Sequence, residues 1–430
     1  MRMIRRAFGR ASDRAMLRPH VKNTISSRSA RYTARAGLIL IVTVMLVGMA
    51  GCPVRPGPFP PIPNPGPSLD LNIRTWHDLD AIRDNLAGHH RLMNSLNATT
   101  PGYEEIAGPT ADGGKGWNPL GNWDPYDHNL YLAFSGTFDG RGHVIEDLFI
   151  DRPDRSEVGL FGYVAEVATI TNVVMVNVTV TGRSWVGGIV GGNAGTVSNS
   201  GSSGTVTGGG GGLIGNNTGI VTDSWSSASV TGSSRVGGLV GFNDGGNITR
   251  SHSAGDVTGN HIDAGGLVGA NWGTIRASYS NSTVTGARCV GGLVGENARG
   301  GIVSDSYATG SVTGNDRVGG LSGANTATVE NSYSTGSVTG DSMIGGLVGE
   351  NGWAVSNSFW NTTTSGEVTS DGGTGITTAE MQTMATFTDT ATKGLNEPWD
   401  ITTVGQGEMN PAYTWNIVDG ETFPFLSWQA

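Results

Sequence analysis

The chain is short of cysteine. Its 430 residues include two, Cys52 and Cys289. Cys52 closes a segment that looks like an export signal, which leaves Cys289 without a partner in the mature chain. The disulfide frameworks that stabilise many small exported domains are therefore excluded. We expect packing and hydrogen bonds to hold this fold together.

Charged residues are also scarce, at 14% of the chain, whereas glycine is abundant, with 70 copies. Together with many Ser, Thr and Asn residues, this composition suits tight turns and short strands and disfavours helix-rich classes. Beyond residue 51 the chain has 16 basic and 35 acidic residues. An acidic chain without a basic stripe argues against nucleic acid as a partner.

Catalytic and metal-binding motifs are missing as well. None of the eight histidines lies in a His-Glu-x-x-His pattern, and no Gly-x-Ser-x-Gly segment occurs. Asp223 and Asp305 occupy equivalent positions of a sequence repeat that is described below. If each repeat forms one coil of a stack, the two acids are three coils apart and lie about 14 Å from each other, too far for a glycosidase pair. The sequence predicts a protein that is not an enzyme, with no cofactor and no metal.

The N-terminal segment predicts export. Ten basic residues in the first 36 precede an apolar run over residues 37–50, which is shorter than a membrane span needs. Residues 46–52 resemble a bacterial lipobox, which implies lipidation of Cys52 and attachment to a membrane. The alternative is an ordinary signal peptide with an incidental cysteine. Because Pro53 and not Asp follows Cys52, the lipoprotein resemblance favours an outer membrane or cell-surface location.

The middle of the chain repeats one phrase: Gly-Gly, Leu or Ile, a small or aliphatic residue, Gly, any residue, Asn. Seven copies begin at steps of 24 to 28 residues, at Gly187, Gly211, Gly237, Gly265, Gly291, Gly319 and Gly345. Such a period indicates that one supersecondary unit is stacked many times. Three aliphatic positions recur in each repeat, one for each side of a prism. The sequence therefore predicts an all-β fold, a three-sided parallel β-solenoid of about eight coils with short helical caps at both ends.

The asparagine of the phrase occurs in all seven copies: Asn193, Asn217, Asn243, Asn271, Asn297, Asn325 and Asn351. An Asn at a tight corner can bond unpaired backbone groups, and stacked amides can bond one another. We interpret these residues as a structural ladder. The alternative, a row of amides that reads a sugar chain, requires side chains that point outward.

A second ladder follows a serine later in each repeat: Trp225, His252, Tyr279, Tyr307, Tyr333 and Phe359. Rings stacked at strand spacing gain contact area, so we interpret this ladder as structural too. If the rings were exposed, they would form a platform for glycans. Trp272 and Trp353 lie near the asparagine corner and are candidate ligand contacts.

The predicted organisation has five parts. They are a lipoprotein signal peptide (residues 1–51), a proline-rich tether with eight prolines (residues 52–68), an N-terminal cap (residues 69–130), the solenoid (residues 131–360) and a C-terminal cap (residues 361–430). Thr75 is predicted to cap a helix from Trp76 to about Leu86, and Thr377 with Glu380 to cap a second one. Trp399, Trp415, Phe423, Phe425 and Trp428 are predicted to form an apolar terminal plug.

The phrase Gly-Gly-Leu-Val-Gly-x-Asn, together with Ser-Tyr and Val-Thr-Gly, resembles the GLUG motif of bacterial surface proteins, which include adhesins and some IgA-specific metallopeptidases. The resemblance covers roughly residues 70–430, and no segment matches the separate catalytic region of the peptidases. The lipobox, the proline-rich tether, the repeat array without a catalytic signature and the acidic composition together predict a non-catalytic surface scaffold or adhesin-like protein, with glycans or other surface proteins as partners. The alternative is a carbohydrate-active β-helix enzyme, a polysaccharide lyase or hydrolase, because parallel β-helices often host such sites.

Overall fold

The computed structural model describes residues 70–122 and 132–429. Three long sheets of parallel strands form the sides of a solenoid, and each repeat contributes to all three in turn. The predicted all-β parallel solenoid is confirmed. Eight coils are complete enough to contribute a strand to the side that contains the Gly-Gly-Leu-Val-Gly-x-Asn phrase.

Sheet 1 follows the asparagine corner and extends furthest toward the N-terminus. Within the described stretches it has eleven strands: Leu71–Ile73, His89–Leu92, Thr137–Asp139, Thr169–Thr171, Thr196–Ser198, Ile220–Thr222, Asn247–Thr249, Thr274–Arg276, Ile302–Ser304, Thr328–Glu330 and Val355–Ser356. Its first two strands lie in the region predicted as a cap, so parallel pairing begins well before the first copy of the repeat.

Sheet 2 contains the end of the repeated phrase. Its eight strands among the described residues are Phe161–Val164, Val190–Asn193, Ile214–Asn217, Val240–Asn243, Val268–Asn271, Val294–Asn297, Ser322–Asn325 and Val348–Asn351.

Sheet 3 contains the Ser-aromatic and Val-Thr-Gly segments, often as separate short strands. Its strands are Val144–Glu146, Phe149–Arg152, Val174–Val186, Gly201–Gly210, Trp225–Ser226, Ser229–Gly237, His252–Ser253, Val257–Gly265, Tyr279–Ser280, Val284–Gly286, Arg288–Gly291, Tyr307–Ala308, Val312–Thr313, Asp316–Gly319, Tyr333–Ser334, Val338–Thr339, Ser342–Gly345, Phe359–Asn361 and Thr374–Ile376.

The three aliphatic positions of the repeat fill the core, as the sequence predicts. In one coil they are Leu239, Ile248 and Val257, with 0%, 0% and 1% of their surface exposed. Equivalent residues pair directly between coils, for example Val221 with Ile248. A slip by one residue would expose this whole set, so the pattern fixes the register.

The paired glycines permit close approach of neighbouring coils. A Cβ on Gly237 would collide with the carbonyl oxygen of Val240, and a Cβ on Gly238 with that of Gly266. Their φ angles are not positive, whereas other residue types occupy the left-handed corners, for example Asp223 at φ 51° and Arg235 at φ 54°. The glycine pair therefore does not form the sharp turns, which fall just before the serine and just before the aliphatic residue that precedes the glycine pair.

Short helices lie at both ends. At the front are the α-helix Trp76–Asp80, the 3₁₀ helices Ala81–Asp84 and Ala111–Gly114, and the π-helical turn Tyr103–Ala107; at the back are the α-helices Thr362–Ser365, Thr378–Met381 and Met384–Thr388. Thr75 and Thr377 both form the predicted capping boxes. The helices are shorter than expected, because the first turns to 3₁₀ geometry at Ala81 and the second ends at Met381.

The last part of the chain folds back along the outside of the solenoid. A small sheet of Ile401–Thr403, Trp415–Ile417 and Phe425–Leu426 packs with neighbouring helices against the aromatic residues of sheet 3. We call residues 384–429 the return segment. The aromatic residues predicted to plug the last coil therefore lie mainly against the side of several coils.

Candidate functional site

The predicted lipidation site, Cys52, and the proline-rich tether lie outside the described residues. Both stay predictions from the sequence.

The seven asparagines turn inward at the corner between sheets 2 and 1. Six successive amide bonds, each from Nδ2 of one Asn to Oδ1 of the next, run from Asn193 to Asn351 with lengths of 2.8 to 2.9 Å. Most of these amides also donate to a backbone carbonyl, such as Asn243 to Gly246 at 3.0 Å. The first six asparagines of the ladder, from Asn193 to Asn325, are each no more than 1% exposed. These amides have no free surface with which to read an external sugar.

A second inward ladder, which sequence reasoning missed, consists of the serines that precede the aromatic residues. They are Ser200, Ser224, Ser251, Ser278, Ser306, Ser332 and Ser358, and none is more than 3% exposed. Each hydroxyl donates to the carbonyl two residues earlier, as Ser251 does to Thr249 at 2.9 Å. From Ser224 onward each also accepts the N–H of the serine one coil before, as Ser251 does from Ser224 at 3.2 Å, whereas Ser200 accepts the N–H of Val173. The signal was present in the sequence, because the serine is more regular than the aromatic residue that follows it.

The predicted aromatic ladder stacks on the outer side of sheet 3. The rings of His252, Tyr279, Tyr307 and Tyr333 follow one another at centroid separations of 4.8, 5.0 and 5.0 Å, with interplanar angles of 3° to 4°. Near-parallel rings at strand spacing follow directly from in-register pairing. Trp225, at the upstream end, lies over Gly201, the position that has no ring in the first copy.

The return segment covers much of this ladder. Trp415 lies 6.0 and 5.8 Å from the rings of Tyr307 and Tyr333, and the Tyr333 hydroxyl donates to the Pro424 carbonyl at 2.6 Å. Tyr333 is only 2% exposed, and burial raises its pKa well above the ordinary tyrosine value. The covered part of the ladder cannot act as a glycan platform, whereas Trp225, His252 and Tyr279 stay half-buried.

The two isolated tryptophans differ in their surroundings. Trp272 packs edge-on against Phe242 at 4.6 Å and lies beneath the guanidinium groups of Arg299 at 4.1 Å and Arg235 at 5.6 Å. Such cation–π contacts occupy the ring faces that a sugar would need. Trp353 is 66% exposed at the last coil. The two residues therefore do not form one surface.

Outer carboxylates at the corners before the serines pair with arginines. Asp223 accepts two bonds from Arg250, at 2.6 Å from Nε and 2.7 Å from Nη2. The Arg250 guanidinium lowers the pKa of Asp223. Asp305 lies 3.3 Å from Arg276, and burial raises its pKa despite this partner. Asp223 and Asp305, which occupy equivalent positions of the repeat, thus each form an ion pair with an arginine of a neighbouring coil.

Asp263 has the most perturbed aspartate environment of the described coils. It lies at a left-handed corner, is 5% exposed, and its Oδ1 has no hydrogen-bond partner. Burial and the nearby Glu296 raise its pKa to about 7, against the opposing charges of Arg235 and Arg288. Burial also raises the pKa of the neighbouring Cys289 to about 11.

A cavity of about 490 Å³ opens where the return segment meets the coils beside the half-buried end of the ladder. Arg250, Arg276, Tyr413 and Trp428 contribute to its walls. Among the residues with assigned structure, no group of three or more His, Cys, Asp or Glu side chains is arranged to hold a metal ion.

Three segments of the chain, residues 232–258, 286–313 and 314–339, match the family model of the GLUG motif. The chain contains GLUG-motif repeats. The motif places the leucine in the core, the asparagine in the amide ladder and the serine in the hydroxyl ladder, so its regular residues are occupied within the stack.

Two curated proteins share part of the GLUG-repeat region. Halomucin from Haloquadratum walsbyi is 37% identical over 127 residues, which are 29% of this chain and 1% of Halomucin. A protein named as a Gly-rich membrane protein from Evansella cellulosilytica is 34% identical over 132 residues, 30% of this chain and 14% of that protein. This chain therefore spans only a small fraction of either relative.

A solved structure from Bacteroides ovatus, described as that of an immunoglobulin A1 protease, aligns with this chain. The alignment has a TM-score of 0.35 at 18% identity and covers 72% of this chain and 85% of that one. Similarity at this level carries no functional argument. In the part of the chain that the structure describes, no helix is long and apolar enough to cross a membrane.

Proposed function

We propose that the chain is a non-catalytic surface lipoprotein whose GLUG solenoid acts as a rigid scaffold and presents an adhesin-like binding face. The observation that carries the proposal is the internal occupation of the repeated polar residues. Asparagine side chains bond the next asparagine, and serine hydroxyls accept from the preceding serine, so each ladder is satisfied within the stack. The repeat therefore builds a stiff support, and recognition depends on the residues that vary around it.

The predicted lipid anchor at Cys52 and the tether of eight prolines support a surface location, because together they would hold the solenoid away from a membrane. The names of the two relatives, a halomucin and a membrane protein, also support a location at the cell surface. Glycans and other surface proteins are the partners that fit such a location.

The anchor is tested by metabolic labelling with a radioactive fatty acid in a bacterial host, followed by membrane fractionation. We expect label in the wild-type protein and none in Cys52→Ala, which should appear in the soluble fraction. Cys289→Ala, at the other cysteine, is the matched control. Label that persists in Cys52→Ala would contradict lipidation at this residue.

The binding function is tested by applying the full chain to glycan arrays and to intact cells. We expect saturable binding that does not consume the ligand. Absence of binding to every glycan and cell surface would reduce the proposal to a scaffold role.

A carbohydrate-active enzyme is the second candidate, and one observation favours it. Asp263, with its pKa raised to about 7, lies near the carboxylate of Glu296, and a carboxyl group whose pKa is raised by burial beside a second carboxylate is a mark of acid–base sites. Release of reducing ends or unsaturated sugars from a polysaccharide panel, lost in Asp263→Asn, would establish it. No release from any substrate would remove this candidate.

A further inference from the structure

The cavity beside the half-buried end of the aromatic ladder has walls of two origins. The repeats contribute Thr249, Arg250 and Arg276, and the return segment contributes Asp400, Tyr413 and Trp428. Its volume, about 490 Å³, is within the range of small-molecule sites, which often lie where two structural units meet. We call it the return-segment cavity.

Arg250 and Arg276 belong to successive coils, and the backbone N–H of Arg250 donates to the carbonyl of Arg276 at 3.3 Å. Both residues contribute to the cavity wall. Their carboxylate partners lie on opposite sides: Asp223 is one coil before Arg250, and Asp305 is one coil after Arg276. Each guanidinium therefore borders the cavity beside its own carboxylate, and in coil order neither acid comes between the two arginines.

Both arginines retain donors for a ligand. Arg250 uses Nε and Nη2 on Asp223 and Thr222, which leaves Nη1. Arg276 makes one ion pair, 3.3 Å from Nε to Asp305, and its side chain is 60% exposed. A guanidinium fork with free N–H groups matches the planar geometry of a carboxylate.

The opposite wall supplies aromatic surface. Trp428 is held by its Nε1 donor on the Ala277 carbonyl at 2.9 Å, with its ring 5.7 Å from that of Tyr279. Tyr413 is 40% exposed. Asp400 accepts two bonds from Thr414 through one carboxylate oxygen, Oδ2, at 2.8 and 2.9 Å. Apolar ring faces beside fixed polar groups suit a sugar, which has both kinds of surface.

We infer that the return-segment cavity binds a saccharide unit that carries a carboxylate. Arg276, the more exposed of the two arginines, takes the carboxylate, and Arg250 offers its remaining Nη1 donor to a sugar oxygen. Tyr413 and Trp428 pack on the sugar ring, and the second carboxylate oxygen of Asp400 accepts a hydroxyl. The inference rests on the proposed binding function and specifies its ligand class. Two sources supply this chemistry, terminal sialic acids and uronic acids, and the cavity fits a mono- or disaccharide end of either.

The test is calorimetric titration of the full chain with three probes: sialyllactose, trigalacturonic acid and lactose, which has no carboxylate. We expect one of the two acidic probes to bind and lactose not to bind. Arg276→Ala should weaken binding about tenfold or more by loss of a charged donor pair, and Tyr413→Ala about fivefold. Arg288→Ala is the matched control, because Arg288 is an exposed cross-coil arginine that does not line the cavity.

Thermal unfolding of each variant first shows whether it is folded, and Arg276→Gln replaces Arg276→Ala if the alanine variant is not. Binding of an acidic probe that neither Arg276 nor Tyr413 variants weaken would overturn the cavity assignment and leave the proposed binding function intact. Equal binding of lactose would overturn the carboxylate class. No binding to any probe would overturn the inference. Absence of binding on glycan arrays and cells as well would also remove the proposed binding function and leave the scaffold role.

Discussion

The asparagine ladder and the aromatic ladder run through the same coils at opposite ends of sheet 1, but they are completed in different ways. Each amide bonds the next amide, so the asparagine ladder needs nothing outside the repeats. The rings stack on one another, yet their outer surfaces are covered only where the return segment reaches them. The first ladder is closed by repetition and the second by a unique segment.

This difference explains where variation is tolerated. In the amide ladder every interior member is both donor to one amide and acceptor from another, so replacement of an interior residue leaves two partners unsatisfied. The ring ladder accepts Trp, His, Tyr and Phe in turn, because each needs only a flat neighbour. Where the cover ends, the ladder and the return segment together border the return-segment cavity.

The strongest way to break the comparison is Trp415→Ala. Trp415 belongs to the return segment, is 0% exposed and packs on the rings of Tyr307 and Tyr333. We expect a loss of about 4 kcal/mol in the free energy of unfolding, since a large buried ring is removed. Urea unfolding measures it, with Trp353→Ala, at 66% exposure, as a control that should change stability by less than about 0.5 kcal/mol. Equal small effects would show that the return segment does not close the ladder.

The amide ladder is tested next by Asn271→Ala. This change removes the acceptor of Asn243 and the donor to Asn297, at an expected cost of about 3 kcal/mol. Asn351→Ala, at the end of the ladder, should cost about 1 kcal/mol, because it removes one amide–amide bond in a partly exposed place. Chemical denaturation of both variants gives the comparison. Similar losses of unfolding free energy in Asn271→Ala and Asn351→Ala would contradict the idea that interior amides depend on partners on both sides.

The buried corner at Asp263 predicts a pH dependence. Burial raises its pKa to about 7, above about 3.9 in the unfolded chain, so the folded protein holds the proton more tightly. The resulting stability is complete below pH 4 and is lost as the pH rises through 7, by about 2 kcal/mol or more. Unfolding of wild type and Asp263→Asn at pH 5 and pH 8 should show the loss in the wild type alone. A pH-independent difference would contradict the raised pKa.

An exposed corner should contribute least. Arg250→Ala removes the partner of Asp223, but both side chains are substantially exposed, so we expect a loss of about 0.5 kcal/mol that high salt abolishes. Thermal unfolding at low and high salt measures it, with Arg276→Ala as the neighbouring comparison. A loss above about 2 kcal/mol would contradict the surface character of this pair.

Much of this architecture could be predicted from the sequence, because stacking repeats one local rule. The spacing of Leu239, Ile248 and Val257 predicts three sides, and the fixed position of Asn271 predicts its corner. The serine ladder was overlooked because Ser251 reads as an ordinary turn residue until its neighbours one coil away are known. The path of the return segment could not be predicted, because its contact with Tyr333 joins residues 91 positions apart. The return segment is not part of the repeat, so sequence periodicity does not indicate this contact.

The measurement that tests most directly whether the return segment covers the aromatic ladder is alkaline titration of the tyrosines, monitored by ultraviolet absorbance. It compares the wild type with Tyr307→Phe and Tyr333→Phe. Burial raises the pKa of both phenols above the ordinary value of about 10. We expect these two residues to contribute no ionisation step until the protein unfolds, so each variant should match the wild type through that pH range. Loss of a step near pH 10 in either variant would show that the ring ladder is open to solvent.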